Sequence, residues 1–418
     1  MKKWRNLFAA VLAAACAAML PVMPQAKEAA FSTAPMLAAG GTYSLTLKRD
    51  GTVWAWGSNE RVKPQDGSQA SSLAPTQVPG LTKVIAVATG GFHALALKSD
   101  GTVWAWGDNS RGALGDGTAS DRQIPVQVRG LTNAAAVAAG ESCSLALKKD
   151  GTVWAWGDYA GDGSGGDLPL PQNKVPAQMQ AEQLKDIAAI AASHYHCLAV
   201  QKNGAVWGWG SHISNTQALQ NQNFGNASAI AVGLGLSLAL RNDNTVWAWG
   251  SNRFGQLGNA STADSAAPVQ VQGLYDASAI AAGASHALAL NSGTVWAWGY
   301  NGYGQLGDGT TANRSAPVQL QGLGGVTGIA TGSVHSLALK SDGTVWAWGW
   351  GSCGQLGDGS TAESRSTPVQ AADAKDTSGF FNVLRTTNTV KMIFDTSYEA
   401  TFWNWVKYIV FFGWIWMR

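Results

Sequence analysis

Apolar residues alternate with small or polar ones in short runs that return at a regular interval along the chain. The best-formed unit runs from Thr89 to Val128, TGGFHALALKSDGTVWAWGDNSRGALGDGTASDRQIPVQV. Within it, His93 to Lys98 and Thr102 to Trp106 alternate as half-buried strands do, and Ser99-Asp100-Gly101 between them is a tight-turn sequence that closes a hairpin. Pro125 to Val128 reads as a third strand, whose opening proline suits a strand start or a sheet edge, where no ladder donor is required. A fourth run precedes each unit, as in Ala134 to Ala139 and Ala277 to Ala282, and is mostly alanine. Side chains that small fit the crowded inner strand of a radial array, which places this run nearest the axis.

A variant of V-W-A-W-G returns seven times, with its leading tryptophan at Trp54, Trp104, Trp154, Trp207, Trp247, Trp296 and Trp346. The successive spacings are 50, 50, 53, 40, 49 and 50 residues. Such a period marks units that cannot bury their own faces and must stack on neighbours. Four strands in each of seven units predict an all-β, seven-bladed propeller of four-stranded blades. Residues two apart share a strand face, so Trp104 and Trp106 point together while Val103, Ala105 and Gly107 point the other way. By that parity the fourteen repeated tryptophans lie between blades. Burying one is worth roughly 1.5–3 kcal/mol, so they would dominate the stability of the ring. The third unit continues after Gly157 into a loop rich in glycine and proline. The fourth has neither G-Q-L-G nor P-V-Q between Gly210 and Ala231, which predicts a reduced blade lacking its outermost strand.

The unit G-x-x-H-[SA]-L-A-L, D-G-T-V-W-A-W-G, N-x-x-G-Q-L-G-D-G-T and P-V-Q resembles the RCC1 repeat, named for the regulator of chromosome condensation. The likeness is carried by Gly90 to Leu97, by Gly332 to Leu339, and by G-Q-L-G at Gly255 to Gly258, Gly304 to Gly307 and Gly354 to Gly357. It covers roughly Ala38 to Ala371 and implies a seven-bladed RCC1-type β-propeller over 36–371. The nuclear member of the family exchanges guanine nucleotide on a small GTPase. Exported bacterial members include an inhibitor that binds β-lactamases through one end of the ring.

The termini bear on where such a ring would work. Lys2, Lys3 and Arg5 precede an apolar stretch from Leu7 to Leu20 and then proline and small residues, the layout of a secretory signal peptide over 1–26. Cys16 sits in a poor lipobox, because the leading leucine is displaced to Leu12. Export follows as the expectation, to the periplasm, the cell surface or the medium. It separates the chain from a nuclear GTPase and makes nucleotide exchange an unsuitable role. After Ala371 the composition changes, and 372–418 ends in FWNWVKYIVFFGWIWM from Phe402 to Met417. Sixteen residues carrying Asn404 and Lys407 fall short of the ~20 that a spanning helix needs. An aromatic membrane anchor, an extra strand pair against the ring and a tail foreign to the domain are the three readings open.

Composition narrows the partners. Charged residues make up 13% of the chain and the formal net charge is +2, so no basic stripe exists to attract nucleic acid. Without Cys16 the cysteines are Cys143, Cys197 and Cys353, an odd number that defines no disulfide framework. Cys143 and Cys197 fall one slot apart on adjacent blades, where two buried thiols are favoured over a bridge. The histidine slot of the repeat holds Tyr43, His93, Cys143, His196, Leu236, His286 and His335. A slot that admits tyrosine and leucine is structural, with each histidine bonded near its own turn. His194 and His196 alternate as a metal pair would, but no nearby carboxylate stands at ligand spacing to complete a site. Asp158, Asp162 and Asp167 belong to a turn-rich loop, and Asp116-Gly117-Thr118 and Asp308-Gly309-Thr310 are turns. No catalytic motif recurs, and no cofactor or metal is implied.

Recognition by loops remains. After each V-W-A-W-G, Asn59, Asn109, Asn252 and Asn301 recur while their neighbours vary as Arg61, Arg111, Arg253-Phe254, Tyr300 with Tyr303, and Trp350. Aromatic side chains and arginine anchor interfaces. Arg61, Arg111, Phe254, Tyr300, Tyr303 and Trp350 are therefore the candidate partner-binding residues. They point to a monomeric, non-enzymatic, protein-binding ring with an inhibitory or adaptor role. Surface attachment through the tail and a secreted hydrolase or lyase are the alternatives.

Overall fold

The computed structural model describes residues 31–58, 71–158, 173–179, 184–194, 196–210, 224–372 and 413–415. The ring belongs to the compact unit Ser32–Arg418; of the other unit, Met1–Phe31, only Phe31 is described. The leader, Asp162, Asp167 and all of the aromatic tail but three residues therefore lie outside the described residues.

Seven antiparallel meanders follow one another along the chain, each a blade built from one contiguous stretch. In the second blade the order from the axis outward is Val84–Thr89, His93–Lys98, Val103–Gly107 and Arg122–Gln127. The alanine-rich run is the inner strand, as its small side chains require. The outer strand begins three residues earlier than its proline suggests. The ladder pairs Ala105 with Val126 and then Gly107 with Arg122, so Pro125 sits within a register shift at the sheet edge, where a missing donor costs nothing. Among the described residues the fourth blade has three strands, Ile187–Ala192, His196–Gln201 and Val206–Gly210. Beside it, Phe224 is buried against Trp247 and Trp249 of the fifth blade, with both ring centroids at 5.9 Å.

Closure between the seventh and first blades is non-covalent and uses the same contacts as the other seams. Ser333 N donates to Gly40 O at 3.2 Å, and Trp56 Nε1 donates to Gln355 O at 2.9 Å. In the tail, Gly413–Ile415 pairs antiparallel with Val326–Thr331, the inner strand of the seventh blade. The described part of the tail is thus a single added strand rather than a pair. No helix among the described residues is long and apolar enough to cross a membrane.

Parity places both tryptophans of each motif on one face, but their depths differ. The trailing rings Trp56, Trp156, Trp298 and Trp348 are fully buried between blades. The leading rings Trp104, Trp154, Trp247, Trp296 and Trp346 are half-buried. Several lie under a cation from the preceding strand: the Lys98, Lys148 and Lys340 ammoniums stand 5.2, 5.0 and 5.6 Å from the centroids of Trp104, Trp154 and Trp346. The trailing set supplies most of the seam core, the exceptions being the buried leading Trp54 and the half-buried trailing Trp249.

Candidate functional site

One end of the ring gathers the loops that vary. In every blade but the fourth, whose loop lies outside the described residues, the turn between inner and second strands is joined to the start of the loop after V-W-A-W-G: Asp108 N donates to Phe92 O, Tyr300 N to Ser285 O and Trp350 N to Val334 O, all at 2.8–2.9 Å. Both sets of loops therefore leave from the same end.

In the second, fifth and sixth blades the recurring asparagine organises the loop from beneath. Asn301 is fully buried; its Nδ2 donates to Asp308 Oδ1 at 3.2 Å, Thr310 O at 3.0 Å and Ala312 O at 3.0 Å, and its Oδ1 accepts Leu306 N at 2.9 Å. Asn109 and Asn252 repeat the arrangement in the second and fifth blades. The D-G-T turns brace the same loops. Asp308 Oδ1 accepts from Thr310 N and Oγ1, while Oδ2 accepts from Arg314 Nε at 2.8 Å. Burial opposes the charged form of Asp308, but the hydrogen bonds from Thr310 and Arg314 outweigh it and hold its carboxyl below the usual range. The glutamine of G-Q-L-G, which the repeat pattern alone leaves without a role, fixes the residue two places before it. Gln256 Oε1 accepts from Phe254 N at 2.9 Å, and Gln305 Oε1 from Tyr303 N at 3.0 Å.

On this frame four of the six candidate residues meet. Phe254 of the fifth blade packs on Tyr300 of the sixth at 4.9 Å between centroids, Tyr300 on Tyr303 at 6.3 Å, and Tyr303 on Trp350 of the seventh at 6.3 Å. All four are half-buried, and the exposed Arg253 guanidinium lies 5.7 Å from the Phe254 centroid. A continuous aromatic row thus crosses three blades. Arg111 is not part of it: it belongs to the second blade and pairs with Asp158 of the third at 3.4 Å. Arg61 lies outside the described residues.

At the axis of the same end a mouth of about 220 Å³ is lined by every blade, with Gly41, Gly91, Glu141, His194, Leu234, Ala284 and Ser333 in equivalent places. Its acid–imidazole contact is between Glu141 of the third blade and His194 of the fourth. Sequence spacing could not show this carboxylate, because it lies 53 residues away and reaches His194 only through blade stacking. His194 and His196 diverge, since His196 Nε2 instead meets Ser237 Oγ of the fifth blade at 2.8 Å.

The histidine slot is an inter-blade device, and only at His196, where Ser193 Oγ stands 3.2 Å from Nδ1, do the described contacts also include a bond near its own turn. His93, His286 and His335 each place Nε2 on a serine of the next blade, Ser144 at 2.8 Å, Ser336 at 3.0 Å and Ser44 at 2.9 Å. Those hydroxyls in turn donate to Ala113 O, Gln305 O and Gln355 O. A serine has one proton, so it accepts from Nε2–H and the tautomer is set. Each carbonyl also receives the trailing tryptophan: Trp156 Nε1 on Ala113 O, Trp348 Nε1 on Gln305 O and Trp56 Nε1 on Gln355 O. Burial lowers His93 to about 4 and both His286 and His335 to about 3, so all three are neutral at pH 7. Tyr43 fills the slot in the first blade and donates its hydroxyl to His93 O. Among the described residues no three metal-ligating side chains converge.

A comparison with curated proteins found no match by sequence. Among solved structures, Prp20p of Saccharomyces cerevisiae, described with its binding properties to Gsp1p and histones, is similar with a TM-score of 0.67 and 22% identity, over 81% of this chain and 88% of that one. Yeast RCC1 (Prp20) bound to Kap60 gives the same TM-score and identity over 82% and 86%. Human WBSCR16 gives 0.64 and 23% over 74% and 88%. At such identity these neighbours show the fold alone. The profile of the RCC1-like domain matches residues 64–385. With that match over most of its length, and seven blades carrying the repeat's residues in equivalent places, the chain belongs to the RCC1-like domain family.

Proposed function

We propose that this chain is an exported, non-enzymatic propeller that binds a partner protein through the end bearing Phe254, Tyr300, Tyr303 and Trp350. The observation that carries the reading is the unbroken aromatic row across blades five to seven, with the loops of the fifth and sixth blades pinned from below by buried Asn252 and Asn301. Rigid aromatic side chains lose little conformational freedom on binding and supply large contact areas, which is why they dominate interface energetics. Arg253 adds a cation at one end of the row. The leader-like N-terminus supports export, and the low charge balance disfavours nucleic acid as the partner. Binding of proteins by Prp20p agrees in kind with this reading, without carrying its partners over. Such a ring acts as an inhibitor or adaptor by covering or bridging its partner.

Surface attachment through the tail is less well supported, since the described tail residues pair with the seventh blade. A hydrolase or lyase role has no particular observation in its favour.

The test immobilises the full chain, captures partners from the exported fraction, and compares wild type with F254A/Y300A and Y303A/W350A. Retained far-UV circular dichroism with at least about tenfold weaker capture is expected of both variants. Equal capture by wild type and both folded variants would overturn the assignment of the binding end.

A further inference from the structure

Six of the seven seams carry a histidine, a tyrosine or an apolar residue in the slot. The seam between the third and fourth blades differs. Cys143 occupies the position of His93, His286 and His335, and Cys197 occupies that of Ser144, Ser336 and Ser44. Where the other seams set an imidazole against a hydroxyl, this one sets a thiol against a thiol. Both are free thiols in this structure, buried in one core cluster on adjacent blades. The blades also approach closely here: Ser193 O of the fourth stands where a Cβ on Gly140 of the third would have to go. Above the thiols the same seam carries the Glu141–His194 contact.

We infer that Cys143 and Cys197 form a disulfide that staples the third blade to the fourth. The bond forms by exchange with a disulfide donor, either a disulfide-donating oxidoreductase or a low-molecular-weight disulfide. The Cys143 thiolate attacks a sulfur of the donor and expels one donor thiolate. The Cys197 thiolate then attacks the mixed disulfide at the Cys143 sulfur and expels the donor's other half. Two electrons and the two thiol protons end on the donor, which leaves as two thiols. The third cysteine of the ring, Cys353, lies in a loop of the seventh blade and serves as an internal control.

The experiment refolds the full chain with glutathione disulfide, alkylates it under denaturing conditions and maps non-reduced peptides. A peptide pair joining Cys143 to Cys197, with Cys353 alkylated, is the expected result. Complete alkylation of Cys143 and Cys197, or a link from either to Cys353, would overturn the inference. The variant C143H/C197S rebuilds the histidine–serine pair of the neighbouring seams, and so offers a folded reference even if single substitutions do not fold. Reduction of the oxidised wild type should lower Tm by roughly 5 °C. The same treatment should leave C143H/C197S unchanged, and an equal drop in that variant would count against the staple.

Discussion

Two tryptophans separated by one residue and sharing one strand face have different jobs. Trp348 is fully buried, and its Nε1 shares Gln305 O with the Ser336 hydroxyl. Trp346 is half-buried, donates to Thr344 of its own turn and lies under Lys340. Trp348→Phe leaves a void and removes a buried donor, and should cost about 2–4 kcal/mol; Trp346→Phe should cost about 1 kcal/mol or less. Urea unfolding of the two variants checks the contrast, and equal midpoints would mean that parity alone governs the motif. Alternation along V-W-A-W-G was enough to place both rings on one face. It could not show which of them a neighbouring blade covers, because depth depends on where along the strand the next blade's loop arrives.

At the scale of the loop, the recurring asparagine matters more than the varied residues it supports. Asn301→Ala would strip Asp308, Thr310 and Ala312 of one donor and Leu306 N of its acceptor. A loss of roughly 2–3 kcal/mol is expected, with faster amide exchange confined to residues 301–313. Because Tyr300 and Tyr303 ride on this loop, partner capture should weaken as well. Gly307 belongs to the same element: at φ 73° it lies in the left-handed region, and a Cβ there would stand 2.8 Å from Trp348 Nε1. Gly307→Ala should therefore destabilise the sixth–seventh seam by more than the ~1 kcal/mol typical of the backbone conformation alone, as read from thermal unfolding. The loop residues Phe254, Tyr300, Tyr303 and Trp350 could be picked from sequence because they interrupt a repeat. Their joining into one row, and the separation of Arg111 from it, required the order in which blades meet.

For the whole ring, the belt of buried imidazoles makes stability depend on pH. His93, His286 and His335 are depressed to about 4, 3 and 3 from an ordinary value of 6.5, so the unfolded chain binds protons in a range where the folded ring does not. Their stabilisation is complete above pH 6.5 and is lost progressively as pH falls from there toward 3–4, by roughly 1 kcal/mol per pH unit for each histidine. Thermal unfolding from pH 7.5 to 4 should show Tm falling below about pH 6.5, and H286L/H335L should flatten that slope. An unchanged slope in the double variant would assign the acid sensitivity to other groups.

The sequence by itself determined the number of blades, the strand order within each and the alanine-rich inner edge, because all of these follow from periodicity and side-chain size within one contiguous repeat. It also singled out the short fourth blade and the loop positions that vary. Only the tertiary structure decided which other groups meet across a seam: His286 with Ser336, Glu141 with His194, and Tyr303 with Trp350. These partners lie tens of residues apart and on different strands. A local pattern records which face a side chain takes; what faces it across the seam is set by how one blade stacks on the next.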